Sequence, residues 1–455
     1  MRCGIRNVTG ILPAGPCKAF FSCGGNGSSP RRREVHGGYV TSIRKSLLQL
    51  VFSGSFMKRW NDKMRPMELV EVDKQAHKMI VAWLLYELNS RNLAQEEKSR
   101  LGEDIVRGGI FDYLYRLVIT DIKPPIFYQI KANPAHHQQL TEWVLRELRP
   151  RVQPLGRGFW ENMEAHFAAQ VRGAGTLASH ILDAAHLFAS RWEFHLIRDL
   201  NPWDEEMTEI EKTFRNGLEN HLDLQGIREL LDGAGSGLGK FANMCGQLRF
   251  QKRWSQTPRI PETSVLGHMF IVACFAYFFS IAVSACPARR HNNFYAGLFH
   301  DVPELLTRDI ISPVKVSVQG IGELIREYEG RELDRRLFAI LADPSYADLL
   351  ARLKYFLGVD VGSEFESTII QDGAARIVSW EQLQGQYNQD RFCPKDGRML
   401  KICDHLAAFL EAYTALANGI DNAHLQQALW RIRNMYQNEA LTEDLHIGAL
   451  LADFE

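Results

Sequence analysis

The sequence predicts an all-α protein made of two versions of one helical module. Three observations carry this. Apolar residues recur at three-to-four spacing along nearly the whole of the 455 residues. Long alternating runs of the strand type are absent. Three short stretches also return in the same order about 190 residues later: "KRW" at 58–60 as 252–254, "HKMIVA" from His77 as "HMFIVA" from His268, and "GIFDYLYRLVITDIKPP" from Gly109 over "GLFHDVPELLTRDIISPV" from Gly297.

The chain begins with a segment unlike the rest. Residues 1–56 hold eight Lys or Arg against one acidic residue, Glu34, and include "CGGNGSSPRRR". Such a stretch buries too little apolar surface to fold alone. It reads as a disordered tail, or as sequence ahead of a start at Met57, in preference to a targeting presequence, because no apolar core with a cleavage site accompanies its arginines. The remainder has ordinary globular composition, 45% hydrophobic and 24% charged, with a net charge of −1. Nothing in that balance points to nucleic acid or an acidic membrane surface. Eight scattered cysteines without zinc spacing imply reduced thiols and a cytoplasmic protein.

Residues 57–231 form the first helical module. "HKMIVAWLLYELNSRN", "TEWVLRELRP" and "TLASHILDAAHLFASRWEFHLIRDL" are its amphipathic stretches. His180, Asp183 and His186 lie three apart on the last of these. Each step of three turns the stripe by about 60°, so one metal could not easily touch all three. "DGAGSGLGKFANM" follows. Gly239-Lys240 precedes Phe241 where a phosphate loop needs Ser or Thr, and Ala234 stands where its first Gly belongs, so residues 232–240 read as a flexible linker.

Residues 241–455 form the second module. "MFIVACFAYFFSIAVSAC", 269–286, is eighteen residues without a charge, the lower limit for a membrane span. With no second such run, it reads as a core helix that is apolar all round. His268 opens it. His300 and Asp301 end the next helix, and Pro303, which fits a first helical turn but not an interior, predicts a chain break there, with Glu304 in the first turn of a short new helix. A long insertion at about 358–396 comes before "LKICDHLAAFLEA", which places Asp404 among apolar neighbours. A carboxylate there is costly unless paired, hydrogen-bonded or bound to a metal. Two imidazoles and two carboxylates form a mixed donor set with room for water and phosphate oxygens; satisfied core groups are the competing reading.

These residues carry a resemblance. "FANMCGQLRFQKRWSQTPRIPETSVLGHMFIVA", "GLFHDVPELLTRDIISPVK" and "LKICDHLAAFL" resemble the HD-domain phosphohydrolases, and within them the bacterial 5′-deoxynucleotidases, over about 241–420. The resemblance implies one divalent metal (Mn, Co, Mg, Fe or Zn) on His268, His300, Asp301 and Asp404. It implies Glu304, with Asp301, as the catalytic carboxylates, Arg253 on the phosphate, Trp254 beside the sugar and Asp309 reading its hydroxyl. The implied activity is phosphomonoester hydrolysis of (deoxy)nucleoside 5′-monophosphates by a metal-activated water. Another phosphate ester, a cyclic nucleotide, or a non-catalytic nucleotide sensor are the alternatives. In the first module Asp112 stands at the His300 position, Tyr113 at Asp301 and Arg116 at Glu304, so the dyad is broken. That module is expected to be structural, packing as a partner subunit would and making the chain a monomer with an internal pseudo-dimer. Neither a nucleic-acid nor a membrane partner is expected.

Overall fold

Ser264 starts the helix around which the second half is arranged. Its side chain accepts the Gly267 amide at 2.9 Å, capping Val265–Ala282. Every residue from Val265 to Ser280 is buried, so a run apolar on all sides finds protein on all sides. It is the one helix among the described residues long and apolar enough to cross a membrane, and it lies inside the core.

The computed structural model describes residues 42–308 and 320–454, which lie within one compact unit. They are all-α, with three two-stranded antiparallel pairs among the described residues. The Val265–Ala282 helix packs on Pro287–Phe299 and on Gly397–Ala417; in the first half, Glu71–Asn89 packs in the same way on Gln95–Ile119 and Leu177–Ile197. The two central helices also pack on each other, so the halves share one apolar core.

Two expected boundaries are corrected. Residues 1–56 do not all lie outside the fold: Lys45–Ser53 is a helix with Leu47, Leu48, Leu50, Val51 and Phe52 buried, so the packed unit begins before Met57. The basic character that suggested a tail is concentrated upstream, and residues 1–41 lie outside the described residues. Residues 232–240 are not a flexible linker either. Ser236 caps the helix Gly237–Gln247, in which Leu238, Gly239 and Phe241 are buried. A Cβ on Gly239 would meet the Gly233 carbonyl oxygen at 2.3 Å, so its glycines permit close packing here.

The insertion is ordered. Asp372 and Gly373, both at positive φ, turn the hairpin Thr368–Gln371 and Ala374–Ile377, a favoured two-residue connection. It returns through Trp380–Gly385 to Asp396, which is buried against Arg289 at 2.7 Å and caps the Gly397–Ala417 helix.

Two core histidines give the fold an acid limit. Burial, then Arg249, lowers His77 to about 3; burial, then Arg352, lowers His291 to about 3. Their unfolded value is near 6.5, so the unfolded chain takes up the extra protons first. The stability they contribute is present above about 6.5 and lost as pH falls toward about 3. His291→Gln is expected to flatten the fall in denaturation midpoint between pH 6.5 and 4, measured by urea titration; an unchanged slope would refute this.

Candidate metal centre

Three separate elements deliver the donors. His268 is in the first turn of the Val265–Ala282 helix. His300 caps the end of Pro287–Phe299, and Asp301–Pro303 turn into a short helix, Glu304–Thr307. Asp404 comes from the middle of Gly397–Ala417. Gly297 makes this convergence possible. A Cβ there would sit 3.0 Å from the Ala273 Cα, so any other residue would push the His300 and His268 helices apart by a few tenths of an ångström.

His268, His300 and Asp404 each present a ligand atom, all within 4.8 Å of one another. His268 Nε2 lies 3.2 Å from Asp404 Oδ1; Asp301 Oδ2 is 3.2 Å from His300 Nε2 and 3.9 Å from His268 Nε2. The far ring nitrogens also face oxygens, that of His300 within hydrogen-bond reach and that of His268 at ion-pair distance. His300 Nδ1 is 2.8 Å from the Gly297 carbonyl oxygen, and His268 Nδ1 is 3.5 Å from Glu411 Oε1. A carbonyl or carboxylate behind each ring is the arrangement that leaves Nε2 as the ligating atom. His300 Nε2 is buried without hydrogen-bond geometry to any neighbour. That nitrogen, at ion-pair distance from Asp301 and facing Asp404 and a second imidazole, fits a divalent ion with mixed N and O donors.

The electrostatics agree. Burial would raise the Asp301 carboxyl, but His300, Arg253 and His268 together hold it well below the usual range; Asp404 is also lowered, by His268, His300 and Lys401 against its burial. Burial would lower His300, yet Asp301 and Asp404 lift it to about 9. The carboxylates stay ionised, and the pocket draws positive charge.

Arg253 extends Nη1 to Asp301 Oδ2 at 3.3 Å, bringing a guanidinium to the donors' edge. Trp254, at φ 54°, turns its indole N–H to Glu411 Oε2 at 2.8 Å, with the Arg259 guanidinium 5.7 Å from its ring. Glu304 is buried three residues beyond Asp301, close to the sequence expectation, with Pro303 just ahead of the helix. Asp309 lies outside the described residues. The insertion reaches the site: Phe365 packs 6.2 Å from the His300 ring, Lys401 Nζ lies 4.1 Å from the Phe365 ring, and burial raises the neighbouring Glu364 carboxyl.

Glu411 was not singled out from the sequence. It lies seven residues, about two turns, beyond Asp404 on the same helix face, in "HLAAFLEAY", and is fully buried. The reasoning that marks Asp404 as a costly buried carboxylate applies to it equally.

The first half has a matching frame with different contents. Lys58 pairs with Val70 as Lys252 bridges Ser264, and the helices begin at Glu71 and Val265. Trp60 has φ 56° and donates its indole N–H to Glu193 at 3.1 Å, as Trp254 does to Glu411. The fourth residue of each helix is therefore Lys74 and His268, which corrects the alignment of His77 with His268. His77 instead lies one turn on, 3.0 Å from the Ala242 carbonyl oxygen. His186, seven residues before Glu193, stands as Asp404 does before Glu411 and is 2.7 Å from Lys74 Nζ. Asp112 is held by Lys78 at 2.7 Å and by His166 and Gln170. His180 turns away to Asp223 and His221, so His180, Asp183 and His186 do not converge on one point.

Residues 245–433 match the family model HD_3, an HD domain. Over this stretch the second half of the chain is similar to HD domains. HD domains are typically metal-dependent phosphohydrolases, and the match spans all four donors, Arg253, Trp254 and Glu411. Comparisons with curated proteins and with solved structures returned no match.

Proposed function

We propose that the chain is a phosphomonoesterase acting on (deoxy)nucleoside 5′-monophosphates, with its active centre in the HD domain and a degenerate copy of the same module in front. The observation that carries the reading is the Arg253 guanidinium, 3.3 Å from Asp301, at the edge of the His268, His300 and Asp404 cluster that Asp301 adjoins. A phosphate dianion is well bound by a hydrogen-bonding cation on one side and a Lewis acid on the other; Arg253 supplies the first, and the donor set would hold the second.

His268, His300, Asp301 and Asp404 would hold the divalent ion. When bound, it supplies Lewis acidity toward a phosphoryl oxygen and lowers the pKa of a water. The chain's own residues do the rest. Arg253 binds phosphate oxygens and offsets the charge that builds on them. Glu304 takes up or returns the proton as the P–O bond is exchanged. Trp254 offers an indole edge and face to the sugar. By the resemblance, Asp309 would read the sugar hydroxyl. The Phe365 and Glu364 side chains at the rim favour, as a second reading, a phosphate ester of another size or shape.

The degenerate-copy reading is supported by the shared frame and by what fills it. Lys74 with His186, and Asp112 already engaged by Lys78 and His166, leave no clustered donors, while Arg59 and Lys78 nearby repel a cation. The contact between the two central helices stands in place of a subunit contact, so a monomer is expected in solution; a dimer formed through the HD domain would count against it.

The test is phosphate release from deoxy- and ribonucleoside monophosphates, with Mn, Co, Mg, Fe or Zn added to metal-stripped protein. Metal-dependent release with a deoxy preference is expected. Arg253→Ala should lower kcat/KM by about 10–100-fold, the scale of charge-assisted hydrogen bonds. No release with any metal, despite tight metal binding, would move the assignment to another ester or to a sensor.

A further inference from the structure

We propose that Glu411 is a positioning residue that couples the metal side of the centre to its phosphate side. Its carboxylate is wholly buried, and its two oxygens divide the work. Oε2 accepts the Trp254 indole N–H at 2.8 Å and faces Arg253 Nε at 3.4 Å. Oε1 accepts the Thr263 hydroxyl at 2.7 Å and lies 3.5 Å from His268 Nδ1. One side chain therefore contacts the Arg253 fork and lies, at ion-pair distance without hydrogen-bond geometry, behind the His268 ring whose Nε2 faces Asp404.

The first half supplies an internal control. Glu193 grips Arg59 Nε at 2.8 Å and Trp60 Nε1 at 3.1 Å, repeating the Arg–Trp grip where the described residues show no donor cluster. Its other oxygen takes Arg249 Nη1 at 2.8 Å instead of an imidazole. The grip on Arg and Trp is thus a framework feature common to both halves. The arm from the carboxylate to a histidine is the part particular to the HD domain. Glu411 acts through His268 and Arg253 and itself reaches no reacting atom.

The phosphate side of this inference rests on the proposed function; the metal side needs only the donor set. Glu411→Gln keeps the shape but places an amide N–H₂ where either Thr263 and His268 or Trp254 and Arg253 need an acceptor. Calorimetric titration of Mn into the metal-stripped variant is expected to show affinity about 10–100-fold weaker, the range for losing the group behind a ligating histidine. At saturating Mn, KM for the best ester, or the Kd of inorganic phosphate, should rise several-fold as well. Glu193→Gln should lower the denaturation midpoint while leaving Mn affinity and KM unchanged.

Folded Glu411→Gln with wild-type Mn affinity and KM would overturn the proposal. So would an equal loss of Mn affinity in Glu193→Gln, which would make the effect a general loosening. Should Glu411→Gln not fold, Glu411→Asp, which keeps the charge but withdraws it by one methylene, is expected to weaken Mn binding about tenfold; parity with wild type overturns the proposal. If the wild type hydrolyses no ester, the proposed function fails, and Mn affinity still decides the role of Glu411.

Discussion

Asp301→Ala is expected to strip the metal from the protein and to cut phosphate release by about 10²–10³-fold or more, the scale of losing one preorganised charge-stabilising group. Asp301 is the acid around which the centre is organised. Its Oδ2 lies 3.2 Å from His300 Nε2, 3.9 Å from His268 Nε2 and 3.3 Å from Arg253 Nη1. Removing it leaves two imidazoles and Asp404 to balance an incoming dication, with Arg253 no longer countered on that side. Metal analysis after dialysis should give one ion per wild-type chain and none for the variant. The stoichiometry also tests the first half. There Lys74 and His186 occupy the positions of His268 and Asp404, with Lys78 bound to Asp112. An ion retained by Asp301→Ala, or two ions per wild-type chain, would refute the assignment.

Trp83→Ala is the substitution expected to cost most stability, about 3–5 kcal/mol. Trp83 belongs to Glu71–Asn89 yet is fully buried against the other half: its ring lies 4.8 Å from Phe299, 6.0 Å from Phe356 and 6.4 Å from Tyr295. The cavity left behind would lie beside the helix that ends in His300. Circular dichroism in urea should show a single transition shifted to lower denaturant, with metal release moving along with it, because the halves share a core. Two separated transitions, with metal release unmoved, would show that the halves unfold independently.

The legible and illegible parts of this molecule divide along physical lines. Helical class could be read because burial repeats every three to four residues, and a charge-free run beginning at His268 must be surrounded by protein or lipid. Asp404 stood out because a carboxylate among apolar neighbours is costly; ligand atoms of His268, His300 and Asp404 lie within 4.8 Å of one another, and Asp301 Oδ2 lies 3.2 Å from His300 Nε2. The same cost should have marked Glu411, but its partners lie far along the chain at Arg253, Trp254 and His268, and periodicity carries no information about such pairs. Glycines at 233–239 read as a linker because composition does not distinguish freedom from close approach. The alignment of His77 with His268 failed for a related reason: similar apolar letters recur one turn apart, and only the strand bridge and helix start set the register at Lys74.

The amino-acid sequence alone thus determined the all-α class, since helical periodicity follows from residue type and local spacing. Tertiary structure decided that the Nε2 atoms of His268 and His300 face Asp404 and Asp301, that Glu411 lies between Arg253 and His268, and that Lys74 sits beside His186 in the first half. Those outcomes depend on helices brought within a few ångströms by packing, as Gly297 permits against Ala273, and packing joins residues that the chain keeps apart.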